Sequence, residues 1–183
     1  MSSPLYTEPI DDPLTGADTF DSGVPVLDDW LRSTAVTMER AGLGRTHVWR
    51  DRDGLVIAYF TLSPHQVAQD GVPSRDRYSK ASRPVPGYLL GKLALDKSLH
   101  GRRLGTRLLT QALERVADAA QLAAGRLLVV DDIDDNAAGF YRAHGFRDIR
   151  RDDPTRPQRL YRRVSDILAD VSPGPGDGAT ASG

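Results

Sequence analysis

The apolar residues of this chain follow helical spacing in some segments and strand-like runs in others, which predicts a mixed α+β domain. Two long helices are predicted, Val26–Ala41, which Gly42 ends, and Gly105–Leu122, and a shorter one over Ala137–His144. Leu127–Val130 is a continuous apolar run, typical of a central strand. The strands are predicted at Leu5–Ile10, Thr46–Arg50, Leu55–Ser63, Tyr88–Leu95, Arg126–Asp131, Phe146–Ile149 and Leu160–Arg163.

These elements follow one another roughly as β-α-β-β-β-α-β-α-β-β, which predicts α/β-type layering, a mixed sheet with helices on both faces. The turn Asp53-Gly54 joins two strands as a hairpin. Residues 64–87 contain four prolines and are predicted to be a loop. The length of 183 residues fits a single domain, which we place at 1–171. Residues 172–183 have no large apolar side chain and are predicted to be a disordered tail.

Composition excludes several classes of protein and site. Without cysteine the chain has no disulfide, thiolate metal site or cysteine nucleophile. The first residues lack the basic and apolar regions of a secretory signal, and no apolar run is long enough for a membrane span, so we expect a cytoplasmic protein. The acidic run 131–135 does not fit a calcium loop, because alanines occupy 137 and 143, where the pattern counted from Asp132 needs Gly and Glu. We therefore expect no metal site.

Charge is distributed unevenly along the chain, although the net charge is only −1. Residues 1–29 carry seven acidic side chains and no Lys or Arg, whereas residues 75–107 carry nine Lys or Arg against two acids. A basic zone of this kind fits nucleic acid, phosphates or an acidic partner, and a solvated surface is the alternative.

The segment His100-Gly-Arg-Arg-Leu-Gly-Thr106 is the best candidate for a phosphate-binding loop. It lies between a predicted strand and a predicted helix, so backbone N–H groups and the positive end of the helix dipole point at one spot. Gly101 and Gly105 allow a ligand to approach closely, and Arg102 and Arg103 add positive charge. The segment has neither the Gly-Lys-Ser/Thr of a Walker A loop nor the spaced glycines of a dinucleotide fingerprint. A plain strand-to-helix turn remains the alternative.

A second motif is Asn136-Ala-Ala-Gly-Phe-Tyr-Arg-Ala-His-Gly-Phe146, which places Phe140 and Tyr141 on the short helix. We expect one of these two aromatic side chains to face the core and the other a cleft. The alternative is that both are packed and that Asn136 only caps the helix.

Together the two motifs resemble the GNAT acyl-CoA N-acyltransferases. Within that family, Phe20-Asp-Ser-Gly23, Leu27-Asp-Asp-Trp-Leu31 and the run Arg83–Asp96 are similar to the TacT-type toxins of type II toxin–antitoxin systems. The resemblance spans about residues 5–165, with the motifs in the family's order. The chain departs from the pattern at Ser22, where the subgroup usually has Cys, and at Arg103, where the loop normally has its middle glycine.

The resemblance implies a GNAT fold, with a mostly antiparallel sheet that is splayed between its fourth and fifth strands and holds acetyl-CoA there. It also implies that Tyr141 is catalytic and protonates the departing thiolate. At Arg103 we expect an ordinary backbone, because Gly101 and Gly105 remain in the loop; if the position needed a positive φ, arginine there would cost about 1 kcal/mol or more. The residues implied to bind acetyl-CoA are Leu93, Ala94, Leu95, His100, Gly101, Arg102, Arg103, Leu104, Gly105, Thr106 and Asn136.

The activity implied is that of an acetyl-CoA-dependent toxin that acetylates the α-amine of aminoacyl-tRNA and blocks translation. The resemblance further implies a homodimer and a ribbon-helix-helix antitoxin. Two alternatives remain open: a GNAT enzyme acting on a polyamine or aminoglycoside, and a binding module in which Arg103 blocks acetyl-CoA. The side chains expected to contact tRNA are Arg75, Arg77, Lys80, Arg83 and Lys92.

Overall fold

A seven-stranded sheet forms the centre of the protein. The computed structural model describes residues 5–69, 71–77, 83–131, 135–150 and 158–171. The strands are β1 Glu8–Pro9, β2 Arg45–Arg50, β3 Val56–Val67, β4 Val85–Leu95, β5 Leu127–Asp131, β6 Arg147–Asp148 and β7 Arg159–Arg163. The helices are α1 Pro25–Ser33, α2 Ala35–Arg40, α3 Leu104–Leu122, α4 Asp135–Ala143 and α5 Val164–Val171, with short 3₁₀ turns at Ser74–Asp76 and Lys97–Leu99.

The sheet order is β1-β2-β3-β4-β5-β7-β6, and every neighbouring pair is antiparallel except β4 and β5. This mixed sheet confirms the predicted α+β class. The parallel pairing ends at Leu90 and Val130, while β4 continues along β3 as far as Leu95. Gly91 is the extra residue of a bulge in β4, because Thr61 pairs with Lys92 and the next residue of β3 pairs with Leu90. The predicted splay between the fourth and fifth strands therefore begins at this bulge.

One side of the sheet, the α3 face, is covered by α3, α4 and α5. The buried side chains of α3 include Leu108, Leu109 and Val116, at the helical spacing that predicted this element. They pack against strand residues such as Trp49, whose indole Nε1 donates to Gln111 Oε1 at 2.8 Å. This polar pair is satisfied inside the core, so its burial leaves no unpaired donor.

The opposite side, the α1 face, is covered at two places. Helices α1 and α2 cover one half, where Leu31 and Tyr59 are fully buried and the Tyr59 hydroxyl donates to the Leu27 carbonyl at 2.8 Å. The turn that follows β3 covers the other half through Val72. Ser63, His65 and Leu89 are only partly buried on the strands between these two covers. The α1 face therefore has a shallower middle section.

Several predicted boundaries differ from the structure. The helix predicted over Val26–Ala41 is two helices, because Thr34 has φ −122° and ψ −31° and interrupts it. Part of the predicted loop 64–87 is strand, since the buried Val67 and Val85 pair with each other and lengthen the β3–β4 hairpin despite its prolines. The first strand is shorter than Leu5–Ile10, and the predicted strand Phe146–Ile149 is reduced to two residues.

Helix α5 was not predicted. It begins immediately after β7 and buries Val164 and Ile167. The predicted tail, 172–183, lies outside the described residues, so the domain limit at 171 stays a prediction. No helix within the described ranges is long and apolar enough to cross a membrane.

Candidate active site

A cavity of about 520 Å³ lies on the α3 face, between the free end of β4, the beginning of α3 and helix α4. It lies at the splay, and the predicted phosphate-binding loop forms part of its wall. Its lining residues are Leu93, Leu95, Leu99, His100, Gly101, Arg103, Leu104, Gly105, Thr106, Asn136, Ala137, Phe140 and Tyr141.

The loop enters α3 through left-handed backbone conformations. Gly101 has φ 73°, and Arg103, directly before the helix, has φ 57° and ψ 17° and makes no side-chain cap. The first-turn N–H groups of α3 therefore keep no partner within the helix and form a concave donor site beside the cavity. The expected ordinary backbone at Arg103 is wrong, because the chain must turn sharply here to enter the helix. A left-handed conformation costs a non-glycine residue about 1–2 kcal/mol.

Two histidines hold the loop in place. His100 Nε2 donates to the Leu95 carbonyl at 3.0 Å and fixes the loop to the end of β4. His144, just after α4, donates from Nδ1 to the Phe140 carbonyl at 2.7 Å, and its Nε2 is hydrogen-bonded to the Thr106 hydroxyl at 3.1 Å. The beginning of α3 is thus fixed to both β4 and α4. These contacts agree with the predicted positions of both histidines, in the loop and at a helix end.

Tyr141 lies at the junction of two cavities. Its side chain is 8% exposed and packs edge-to-face with Phe140 and Phe146, with ring centroids 5.3 Å apart in both pairs. It lines the first cavity and also a second one of about 210 Å³. The prediction that one aromatic faces the core and the other a cleft is wrong, because Phe140 and Tyr141 both line the first cavity and Tyr141 also belongs to the core.

The second cavity opens beside α1, on the other side of the splay. Leu93, Ala137 and Tyr141 line both cavities, so the gap between β4 and β5 connects them. A ligand whose phosphates contact the loop can therefore present its reactive end at Tyr141, opposite a second substrate. The remaining lining residues are Val24, Leu27, Leu90, Gly91, Lys92 and Asp131.

The family model described as "Acetyltransferase (GNAT) domain" matches residues 44–148, which contain β4, the loop, α3, β5 and α4. A protein of Mycobacterium tuberculosis named tRNA-acetylating toxin is 35% identical over 152 residues, covering 83% of this chain and 90% of that protein. The chain belongs to the GNAT acetyltransferase family.

The chain is also similar to a probable toxin and to two proteins of known structure. The probable toxin TacT of Sinorhizobium fredii is 22% identical over 169 residues, covering 87% of this chain and 91% of that protein. A Tyr-to-Phe mutant of KacT superposes with a TM-score of 0.82 at 22% identity, covering 91% of this chain and 99% of that one. AtaT complexed with acetyl-methionyl-tRNAfMet superposes with a TM-score of 0.81 at 23% identity, covering 92% and 100%. The structural matches confirm the GNAT fold.

The residues that the family resemblance predicted to bind acetyl-CoA all line the first cavity, except Ala94 and Arg102. The Ala94 side chain lies on the α1 face, since neighbouring strand residues alternate between faces. Asn136 is the second residue of α4, so it is not the helix cap that the alternative assumed. Sequence reasoning missed Leu99 and Ala137 as lining residues, although both are adjacent to predicted ones.

The described residues among those predicted to contact RNA lie on three different parts of the fold. Lys92 lines the second cavity, with Nζ 5.4 Å from the centre of the Trp30 ring. Arg83 lies at the edge of a separate groove near the start of β4. Arg75 and Arg77 lie in the turn after β3, where Arg77 Nε donates to the Val72 carbonyl at 2.7 Å. Lys80 lies outside the described residues.

The second cavity carries both signs of charge. Asp131 is the one carboxylate among its described lining residues, and its Oδ1 accepts from Arg159 Nε at 2.6 Å. Lys92 supplies a cation at the same cavity. Sequence reasoning missed Arg159, because its contact with Asp131 depends on the pairing of β5 with β7. The described residues of the cavity therefore offer little net negative charge to a polycationic substrate.

Proposed function

We propose that this acetyltransferase transfers the acetyl group of acetyl-CoA to the α-amine of aminoacyl-tRNA and thereby blocks translation. The observation that carries the proposal is the charge of the second cavity, where Asp131 is paired with Arg159 and Lys92 adds a positive charge. Such a cavity suits an acceptor that brings phosphates with it. The relative from Mycobacterium tuberculosis, a tRNA-acetylating toxin by name, supports the same assignment.

The residues of the first cavity fit the diphosphate of acetyl-CoA. A Cβ at Gly101 would meet no atom within 4 Å, so the loop leaves open space where phosphates would approach the first-turn N–H groups of α3. Neither Arg102 nor Arg103 forms a hydrogen bond or ion pair within the described part of the chain, so both guanidinium groups are available to an anion. Residues 92–95 of β4 pair with β3 but, like the bulge residue Gly91, not with β5, which leaves backbone groups open to the pantetheine arm. The bound thioester supplies the activated acetyl group.

The protein's part in the reaction is to position two substrates and to supply one proton. An α-amine titrates near about 7.7–8.0, and a neighbouring ester lowers its pKa further, so a fair fraction is neutral at physiological pH. The neutral amine attacks the thioester carbonyl, an amide bond forms and the carbon–sulfur bond breaks. The Tyr141 hydroxyl at the junction gives its proton to the departing sulfur, while the amine loses a proton to water. Holding the two substrates in position on either side of the splay supplies much of the rate enhancement.

A direct assay tests this function. Purified enzyme is incubated with labelled acetyl-CoA and either charged tRNA or a panel of polyamines and aminoglycosides. We expect label on aminoacyl-tRNA, and we expect Tyr141→Phe to lower kcat by about 10²-fold or more while coenzyme A binding in calorimetry is unchanged. Tyr88→Phe is the matched control, because the Tyr88 hydroxyl donates to the Ala123 carbonyl, away from both cavities. Acetylation of a polyamine with none of charged tRNA would establish the small-amine alternative instead.

We also infer that the enzyme works in the cytoplasm, as a homodimer, under a ribbon-helix-helix antitoxin. Translation places its substrate in that compartment, and the relative AtaT has been solved bound to the C-terminus of the antitoxin AtaR. Light scattering tests the dimer. Expression in growing cells tests the toxin activity and the antitoxin. We expect the wild type but not Tyr141→Phe to arrest growth, and co-expression of a ribbon-helix-helix protein encoded next to the enzyme to relieve the arrest.

A further inference from the structure

A cluster of arginines surrounds one buried carboxylate on the α1 face of the sheet. The Asp76 side chain is 1% exposed. Its Oδ2 accepts from the Tyr161 hydroxyl at 2.5 Å and from Arg147 Nη1 at 2.9 Å, and its Oδ1 lies 3.5 Å from Arg163 Nη1. Arg75 Nε is 3.9 Å from Oδ2. We call these five residues the Asp76 cluster.

The cluster has more positive charge than its carboxylate can balance. Among the described residues, its three arginines, Arg75, Arg147 and Arg163, face two carboxylates, Asp76 and Asp166, an excess of one positive charge. The side chain of Arg75 is 73% exposed, and those of Arg147 and Arg163 are about 40% exposed, so the guanidinium groups reach solvent. Burial and the hydrogen bond to Asp76 raise the pKa of Tyr161 to about 12, so it remains a neutral donor.

The cluster lies in line with the second cavity. Arg159, Tyr161 and Arg163 alternate along β7 and therefore point to the same face of the sheet. Arg159 pairs with Asp131, which lines the second cavity. At 3.3–3.4 Å per residue, Arg163 lies about 13 Å further along this strand. An RNA strand that leaves the cavity along β7 reaches the Asp76 cluster within a few nucleotides.

We propose that the Asp76 cluster binds backbone phosphates of the tRNA acceptor arm and that Asp76 is a positioning residue, which fixes the arginines in advance of binding. The proposal rests on the proposed function. Guanidinium groups bind phosphate through paired hydrogen bonds, and groups already held in place lose less conformational entropy when the RNA arrives. Phosphate contacts of this kind set the orientation of the RNA and leave its sequence unread.

Steady-state kinetics with charged tRNA, at saturating acetyl-CoA and several salt concentrations, test the proposal. We expect Arg75→Ala to raise the KM for aminoacyl-tRNA about threefold to fivefold. The dependence of log KM on log salt should become shallower by about 0.7–0.9 per lost phosphate contact. Arg75→Lys should restore most of the affinity, and kcat and the KM for acetyl-CoA should not change. Arg45→Ala is the matched control. Arg45 lies on β2, away from the Asp76 cluster, where its side chain is 64% exposed and pairs with Glu39.

Asp76→Asn tests the positioning role. It adds positive charge, so a surface that acts by charge alone would bind tRNA more tightly. We expect the KM for aminoacyl-tRNA to rise instead, with the KM for acetyl-CoA unchanged as evidence of an intact fold. A lower KM would overturn the positioning role.

Binding of uncharged tRNA, followed by fluorescence anisotropy, separates this proposal from the proposed function, because it needs no acetyl transfer. Weaker binding by Arg75→Glu than by Arg45→Glu supports the cluster even if acetylation of tRNA is not found. Equal binding by the two variants overturns the cluster as a tRNA site and leaves the proposed activity standing if wild-type enzyme still acetylates charged tRNA.

Discussion

Arg103 lowers the stability of the fold through its backbone conformation and is expected to strengthen coenzyme A binding through its side chain. The substitution Arg103→Gly separates these two effects. The left-handed backbone of Arg103, φ 57°, costs about 1–2 kcal/mol for a residue with a Cβ. Glycine removes that strain, but it also gives the unfolded chain about 0.4–1 kcal/mol of extra freedom. Arg103→Gly should therefore raise the free energy of unfolding by up to about 1.6 kcal/mol. For a chain of this size that raises Tm by up to about 3–6 °C.

The same substitution should weaken coenzyme A binding. The Arg103 side chain lines the first cavity and has no partner within the described residues. A hydrogen bond to a charged group contributes about 1.5–3 kcal/mol, and solvent at this open loop reduces that to about 1 kcal/mol. The Kd for coenzyme A should then rise about fivefold.

Thermal unfolding without ligand and calorimetry with coenzyme A measure the two effects. Arg103→Asn is the matched control for charge, since asparagine tolerates the left-handed region and should lose affinity with a smaller change in Tm. Arg102→Ala is the control for strain and should leave Tm unchanged, because Arg102 has no positive φ. A lower Tm for Arg103→Gly would refute the strain argument. Tighter coenzyme A binding would show that Arg103 obstructs the loop, as in the binding-module alternative.

Two further predictions concern packing and pH. A Cβ at Gly87 would lie closer than 3.0 Å to the Leu127 carbonyl oxygen, so Gly87→Ala should lower the free energy of unfolding by about 1–3 kcal/mol. Gly139 in α4 has open space around it, so Gly139→Ala should raise the free energy of unfolding by about 0.5–1 kcal/mol. Calorimetric unfolding of the two variants measures both effects. Burial raises the pKa of Asp76, but hydrogen bonds from Tyr161 and Arg147 outweigh it and hold the pKa below the ordinary value of 3.8. The stability advantage of wild type over Asp76→Asn should thus be complete above that pH and decline as pH falls below it, and an equal advantage at pH 2 and pH 6 in urea titrations would contradict this.

The parts of the site that lie close together in the sequence could be predicted from it. The functional residues of the loop 100–106 and of the motif around Tyr141 lie within a few positions of one another. The spacing of Leu108, Leu109 and Val116 predicted the helix α3 and the face that it buries. Helix α5 was missed because eight residues with two buried positions give little periodic signal. The backbone of Arg103 could not be predicted, since its conformation follows from how β4 and α3 are held together.

Contacts between distant residues account for the remaining differences. Asp76 and Tyr161 are 85 positions apart, and the pairing of β6 with β7 brings Arg147 to the same place. Likewise, Asp131 meets Arg159 only through the β5–β7 pair. No local pattern encodes such a cluster, so the basic zone predicted from the sequence shares Arg75 with it but does not contain Arg147 or Arg163, which the fold brings to the same place.

The central claim, transfer of acetyl to the α-amine of aminoacyl-tRNA, is tested most directly by identifying the product. Charged tRNA is treated with enzyme and acetyl-CoA and digested with nuclease, and the 3′-terminal aminoacyl-adenosine is analysed by mass spectrometry. The account predicts an aminoacyl-adenosine heavier by one acetyl group on its α-nitrogen, formed at similar rates by wild type and Tyr88→Phe and about 10²-fold or more slowly by Tyr141→Phe. Unmodified aminoacyl-adenosine from every charged tRNA, with coenzyme A bound normally, would contradict it.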